Sequence, residues 1–277
     1  MESCQSFMNC WGKTMKKRLD VLLVERNLFP SREKARTAIM TGRIIIHGKK
    51  EMKAGTMIPE DAEIQVTGHD LPFVSRGGLK LAKAVKQFGL DFKDKVVLDI
   101  GASTGGFTDC SLQNGAKKVY AVDVGYGQLA WSLRSDDRVV VLEKVNARYL
   151  TEEQVPEQAD YIVMDASFIS LKKLIPHLIP FLKEEGAFVS LIKPQFEAGK
   201  EKVGKKGVVR DPAVHQEVID ELLDFFAAEG LTVAALTFSP IKGPEGNREY
   251  LVLLKKDGSD ATIPNVSELV AKAFEEI

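Results

Sequence analysis

The 277-residue chain has little cysteine, with three, and little tryptophan, with two. Cys4, Cys10 and Cys110 form no C-x-x-C pair, and an odd number at this spacing gives neither a disulfide framework nor a zinc site. Free thiols and no bound metal are expected. No run approaches the roughly 18 consecutive apolar residues of a membrane helix. The N-terminus lacks the basic, then apolar, then small-residue layout of a signal peptide. These absences predict a soluble, cytoplasmic protein without a membrane partner. Internal repeats and low-complexity segments are also missing, while 44% of the residues are hydrophobic, which excludes disordered and fibrous classes. The length suits one large domain with a small companion.

An excess of one charge is missing too, with 38 Lys plus Arg against 39 Asp plus Glu. That balance conceals an asymmetry. Lys16 to Lys53 holds eleven basic and four acidic residues, whereas residues 54–277 hold 26 basic and 34 acidic. A basic head on an acidic body is either a solubilising surface or a face for a polyanion.

Residues 1–14 show no periodicity and are expected to be an unstructured tail ahead of Met15. Leu19, Leu22 and Leu23 then fall at helical spacing, Phe29-Pro30-Ser31 breaks the pattern with Ser31 as N-cap, and Ala35, Ala38 and Ile39 mark a second helix ended by Gly42. A strand at Ile44-Ile45-Ile46, a turn at His47-Gly48 and a strand over residues 63–66 follow. Arg18-Leu19-Asp20, Leu23, Ser31-Arg32, Ala35, Ile39, Gly42, Gly48 and Lys53 resemble the S4 RNA-binding domain. His47 departs from it, since the family often carries Asn before this glycine. The resemblance implies an α+β domain in which Arg18, Arg32, Arg36, Arg43, Lys49 and Lys50 meet RNA phosphates.

Residues 68–74 read as the connection and 75–277 as a second domain. There, apolar strands near 96–100, 119–123, 139–142, 161–164, 187–192, 231–237 and 249–254 alternate with helical stretches such as Leu79–Phe88 and Pro212–Ala228, the latter with Asp211 as N-cap. Val266 to Phe274 reads as a final helix. Such alternation predicts an α/β fold with a mostly parallel sheet covered by helices on both faces, its last two strands able to close an antiparallel edge.

The first of these strands runs into a glycine-rich turn, Asp99-Ile100-Gly101-Ala102-Ser103-Thr104-Gly105-Gly106-Phe107. Glycines there let a ligand approach the backbone, and the helix that follows favours acceptor groups. The spacing differs from the G-x-G-x-x-G of dinucleotide-binding turns. It resembles the first motif of S-adenosylmethionine methyltransferases, D-x-G-x-x-x-G. Asp123 ends the next strand about twenty residues on, where a carboxylate can accept from ribose hydroxyls. The implied cofactor contacts are Asp99, Gly101, Ala102, Ser103, Gly105, Gly106, Phe107, Asp123, Val124, Asn146, Ala147 and Asp165 of a Rossmann-like class I sheet.

Asp165 and Lys193 end two further apolar strands, and strand carboxyl ends converge on the ligand crevice of such sheets. With Lys80 in Ser75-Arg76-Gly77-Gly78-Leu79-Lys80 and Glu249 in Asn247-Arg248-Glu249-Tyr250, they match in order the Lys-Asp-Lys-Glu set of FtsJ-like ribose 2′-O-methyltransferases. From Met15 onward the chain resembles the TlyA or hemolysin A family of bacterial rRNA methyltransferases. That resemblance implies 2′-O-methylation of cytidine riboses in ribosomal RNA of the ribosomal subunits, S-adenosylmethionine as cofactor, Arg76 among the RNA contacts, and a monomer or homodimer. The chemistry assigns Lys193 as base or orienting group for the ribose hydroxyl, Lys80 as the second cation, Asp165 as holder of the amine and Glu249 as holder of the lysines. Gly199 to Gly207 is a basic loop that either contacts RNA or is simply solvated. Phe196 and Tyr126 are open between core packing and stacking, and Cys110 reads as a small packing residue. Two other functions remain open: an RNA-binding assembly factor without catalysis, and a membrane-active hemolysin.

Overall fold

A computed structural model describes residues 15–40, 42–67, 71–256, 258 and 263–277. The expectations for residues 1–14 and for positions 68–70 of the connection lie outside them. The chain separates into two compact units between Leu71 and Pro72.

In the first unit β1 (Lys16–Arg18) leads into α1 (Leu19–Glu25), then α2 (Arg32–Met40), β2 (Ile44–Ile46), β3 (Lys49–Glu51), β4 (Met57–Pro59) and β5 (Ile64–Val66). The apolar faces read from the sequence make its core, with Leu19, Leu22, Leu23, Ala35, Ala38, Ile39 and Ile44 all buried. Lys34 N donates to Ser31 Oγ at 3.3 Å, so Ser31 caps α2. Strand β2 is central in an antiparallel sheet of order β3-β2-β5, and β1 pairs with β4. Strands β1, β3 and β4 are no shorter than β2 and β5, but they carry at most one β-branched residue each, where β2 has three and β5 two, so they do not read as strands. His47 and Gly48 turn β2 into β3 with φ of +49° and +75°, the two left-handed positions of a tight hairpin.

The second unit comprises α3 (Gly77–Phe88), β6 (Val96–Ile100), α4 (Gly106–Gln113), β7 (Lys118–Asp123), α5 (Trp131–Arg134), β8 (Val139–Glu143), β9 (Ala159–Met164), α6 (Ile175–Leu178), β10 (Leu182–Ile192), α7 (Pro194–Glu197), α8 (Pro212–Ala228), β11 (Thr232–Phe238), β12 (Tyr250–Lys255) and α9 (Val266–Glu276). Phe73, read as part of the connection, is buried in this unit's core. Strand β10 starts earlier than its apolar run, because the polar Lys183–Gly186 segment carries a register irregularity against β9 before regular pairing resumes at Ala187.

Seven strands form one sheet of order β11-β12-β10-β9-β6-β7-β8. Strands β6 to β10 are parallel, and β12 runs antiparallel to both β10 and β11. Successive side chains point to opposite faces and both faces are covered: Val96, Leu98 and Ile100 join the core under α8 and α9, while Val97 joins the one under α3 and α4. That double burial is why β6 reads as an unbroken apolar run. The strand order reverses between β6 and β9, and the crevice at their carboxyl ends is the expected ligand position.

Candidate active site

Asp165 directly follows β9 and Lys193 directly follows β10. Glu249 directly precedes β12, and because β12 is reversed its start lies at the edge where β9 and β10 end. Lys80 enters from the first turn of α3. These four side chains, separated by up to 169 positions, form one contact chain. Lys80 Nζ donates to Glu249 Oε2 at 2.6 Å and to Asp165 Oδ2 at 3.4 Å. Lys193 Nζ meets Asp165 Oδ1 at 2.6 Å and donates to Asp165 O at 3.1 Å and Ser167 Oγ at 2.9 Å. Gln195 Nε2 donates to Glu249 Oε1 at 3.4 Å.

Lys193 is only 5% exposed and Glu249 only 1%. Burying ions costs solvation that pairing seldom recovers, so such a set contributes little to stability and makes these four residues the candidate site. Burial acts to lower the Lys80 pKa, but the fields of Asp165 and Glu249 outweigh it and hold the ammonium above its ordinary range. Lys80 is therefore a fixed cation.

The glycine turn is built by close approaches. A Cβ on Gly101, whose φ is +81°, would lie 3.0 Å from Ala166 Cα and 3.1 Å from Asp165 O. Gly106 lets α3 and α4 meet: a Cβ there would collide with Ser75 Oγ and fall 2.7 Å from Gly78 N. Asp99 lies under the turn, fully buried, and Thr108 Oγ1 donates to its Oδ2 at 2.6 Å. Its Oδ1 is buried with no hydrogen-bond partner among the described residues. Burial, together with the charges of Asp165 and Asp123, pushes its pKa up to about 7. Asp123 accepts from Ser103 N and Gly125 N, each at 2.7 Å, which fixes both carboxylate oxygens beside the turn. Val124 is exposed, Ala147 is buried, and Asn146 caps a short 3-10 turn by accepting from Arg148 N. Cys110 is buried on α4, its thiol pushed up to about 12 by desolvation.

One residue escaped the sequence reading. Phe168 is 90% exposed, has φ of +64°, and sits 5.1 Å from the Phe196 ring, which itself lies 5.8 Å from Lys193 Nζ. A non-glycine residue in that conformation is costly and concentrates at functional sites. Its signal in sequence was an aromatic three positions after Asp165 in a stretch with no apolar period. Tyr126 is also exposed, with Lys144 Nζ 4.5 Å over its ring.

In the first unit Asp20 is buried. Arg18 Nε donates to it at 3.0 Å and Arg32 at 2.8 Å, and these guanidiniums pull its pKa down to about 2. Arg36, Lys49 and Lys50 are exposed. Arg43 is engaged locally, donating to Thr67 O at 3.0 Å and lying 5.7 Å over Phe29. Arg76, in the second unit, donates to Lys242 O at 3.3 Å.

The sheet order, the glycine turn leaving its switch-point strand and the charged strand ends define a class I methyltransferase fold. The FtsJ-like methyltransferase family model matches residues 73–256, and the chain belongs to that family. It is 52% identical over 244 residues to the candidate rRNA methyltransferase YqxC of Bacillus subtilis, covering 88% of this chain and 87% of that protein. It is 42% identical over 239 residues to the 16S/23S rRNA (cytidine-2′-O)-methyltransferase TlyA of Mycobacterium tuberculosis, covering 86% and 89%. A solved structure of a candidate hemolysin from Streptococcus thermophilus superposes with a TM-score of 0.73 at 43% identity, covering 95% of this chain and 97% of that one.

Proposed function

We propose that this protein transfers a methyl group from S-adenosylmethionine to the 2′-hydroxyl of a cytidine ribose in ribosomal RNA. The observation that carries the reading is the Glu249–Lys80–Asp165–Lys193 contact chain at the carboxyl edge of the sheet. Cytidine follows from the relatives' names. The cofactor fits the crevice: Asp99 Oδ1 is a buried acceptor with no partner among the described residues, and Asp123 stands at the end of β7 with its carboxylate held beside the glycine turn. When bound there, S-adenosylmethionine supplies an electrophilic methyl group on a cationic sulfur.

The residues of the chain do the rest. Lys193, as an ammonium, has its three protons directed at Asp165 Oδ1, Asp165 O and Ser167 Oγ. Lys193 exchanges its contact with Ser167 Oγ for the ribose 2′-hydroxyl, which it orients and whose proton it receives as general base. Lys80 supplies the second, fixed cation of the site. Asp165, with one oxygen toward each lysine, sets their spacing, and Glu249 anchors Lys80. Fixed alignment supplies much of the rate in such an in-line displacement. Phe168 offers an exposed ring on which the target base stacks, a contact that tolerates any base and adds about 1–3 kcal/mol. The first unit supplies the S4-type RNA grip, with Arg18 and Arg32 pre-aligned by Asp20. The reading puts the protein in the cytoplasm with its RNA.

Among the described residues no helix is long and apolar enough to cross a membrane. Mapping 2′-O-methylation by primer extension on rRNA from cells with and without the gene tests the proposal. Loss of a methylated cytidine is expected; an unchanged pattern would put the non-catalytic RNA-binding reading ahead.

A further inference from the structure

The loop after β9 is fastened to the segment after β10 at several points. Lys193 takes its beginning, through Asp165 O and Ser167 Oγ at 3.1 and 2.9 Å. The ring of Phe196 supports its middle, 5.1 Å from Phe168. Glu197, the last residue of α7 and four positions after Lys193, takes its end: Oε2 accepts from Ser170 Oγ at 2.6 Å and Oε1 from Leu171 N at 2.8 Å. Both carboxylate oxygens are thus committed to two consecutive residues of the loop, with Phe168 between the clamps. Its ring is 90% exposed and its backbone left-handed, a conformation that persists only when the surroundings impose it. Phe168 cannot impose it, because an exposed ring gains by folding back onto apolar surface. Phe196 alone offers one tilted face.

We infer that Glu197 is a positioning residue for RNA recognition: its carboxylate fixes the 165–171 loop so that Phe168 presents its ring to the target base. This inference rests on the base-stacking reading of Phe168. Glu197 is half-buried, and desolvation pushes its pKa above the ordinary carboxylate range despite the bonds from Ser170 and Leu171. A surface loop of this length would be held more cheaply by an Asn or Ser, so a half-buried carboxylate with both oxygens engaged points to a demand for a fixed geometry. Replacing it by glutamine keeps the shape and removes acceptor capacity at one of the two bonds.

The experiment is a double-mutant cycle on the full chain, measuring kcat/KM for ribosomal RNA from cells lacking the gene, together with S-adenosylmethionine affinity and thermal unfolding. Phe168→Ala is expected to lose roughly 5- to 150-fold in kcat/KM. Glu197→Gln is expected to lose roughly tenfold. The double variant should match Phe168→Ala within about twofold, because a clamp with no ring to present has nothing further to lose. Cofactor affinity should be unchanged in all three. Ser170→Ala, a milder removal of one clamp bond, gives the same cycle should Glu197→Gln unfold. A wild-type Phe168→Ala would remove the stacking reading and the role of Glu197 with it. A defective Phe168→Ala beside a wild-type Glu197→Gln, or losses that multiply in the double variant, would overturn the role of Glu197 alone.

Discussion

Lys193 is bound to Asp165 twice, by Nζ to the side-chain Oδ1 at 2.6 Å and by the same atom to the backbone carbonyl at 3.1 Å. The two residues end adjacent parallel strands, so the pair also pins the carboxyl ends of β9 and β10 together at the crevice. A lysine held this way has little freedom except along the third bond, to Ser167, which is where a ribose hydroxyl can replace a serine hydroxyl. Lys193→Ala should therefore lower kcat by about 10²- to 10⁴-fold, the usual worth of a positioned proton acceptor. Titration calorimetry should find the affinity for S-adenosylmethionine within about threefold of the wild type, since no cofactor contact is assigned to this side chain. Loss of cofactor binding would show that the assigned role is wrong.

Gly106 is constrained from outside its own helix. A Cβ there would lie 2.7 Å from Gly78 N and 3.1 Å from Gly77 Cα, backbone atoms that cannot swing aside. Helices α3 and α4 would have to part, and α3 carries Lys80. Gly106→Ala should cost about 1–3 kcal/mol in urea unfolding, in the range of an overpacked core. It should lower kcat as well, because Lys80 would move from Glu249 and Asp165. Wild-type stability would show that the helices have slack the geometry does not suggest.

Much of this site is legible in the sequence. Apolar strands ending in Asp165 and Lys193 announce residues at a crevice, because a buried parallel strand has to be apolar and only its end can carry a charge. The boundaries of α8 were equally plain, since Asp211 and Pro212 mark its start through capping chemistry. Phe168 was invisible for a physical reason: its importance lies in a left-handed backbone and an exposed ring, and neither leaves a period. The Glu197 clamp was hidden likewise, as bonds to Ser170 and Leu171 depend on how two segments 26 and 27 residues apart meet. Strands β1, β3 and β4 lack the β-branched residues that make β2 and β5 readable at the same length.

Asp99 predicts a pH dependence with a definite sign. Its folded pKa is raised to about 7 from an ordinary 3.8, so the folded protein holds a proton that the unfolded chain releases. That contribution to folding stability is present at low pH and fades as pH climbs from about 4 to about 7. The cofactor carries an ammonium and a sulfonium, and an ionised Asp99 receives cationic groups better than a neutral one. Affinity for S-adenosylmethionine should consequently rise through pH 7, by up to about tenfold per unit below it. Calorimetry between pH 5.5 and 8.5 would measure this, and Asp99→Asn should flatten the curve. A flat wild-type profile would remove Asp99 from the cofactor site.

The basic residues of the first unit do not share one role. Lys49 and Lys50 lie exposed on β3. Arg43 donates to Thr67 O, its own carbonyl accepts from Thr67 N at 2.8 Å, and its guanidinium lies over Phe29, so it ties β2 to the end of β5. Charge counting treats these three alike, but binding and folding do not. Releasing counterions from RNA gives each phosphate contact a share of the salt dependence, so the Lys49→Ala and Lys50→Ala variants should each bind RNA more weakly and reduce the slope of log K against log salt by about 0.7–0.9. Arg43→Ala should instead leave that slope unchanged and lower the stability of the first unit by about 1 kcal/mol, the worth of one hydrogen bond with an exposed cation–π contact. Binding measured from 50 to 300 mM salt separates the two outcomes, and a slope that falls in the Arg43 variant would put its guanidinium on a phosphate after all.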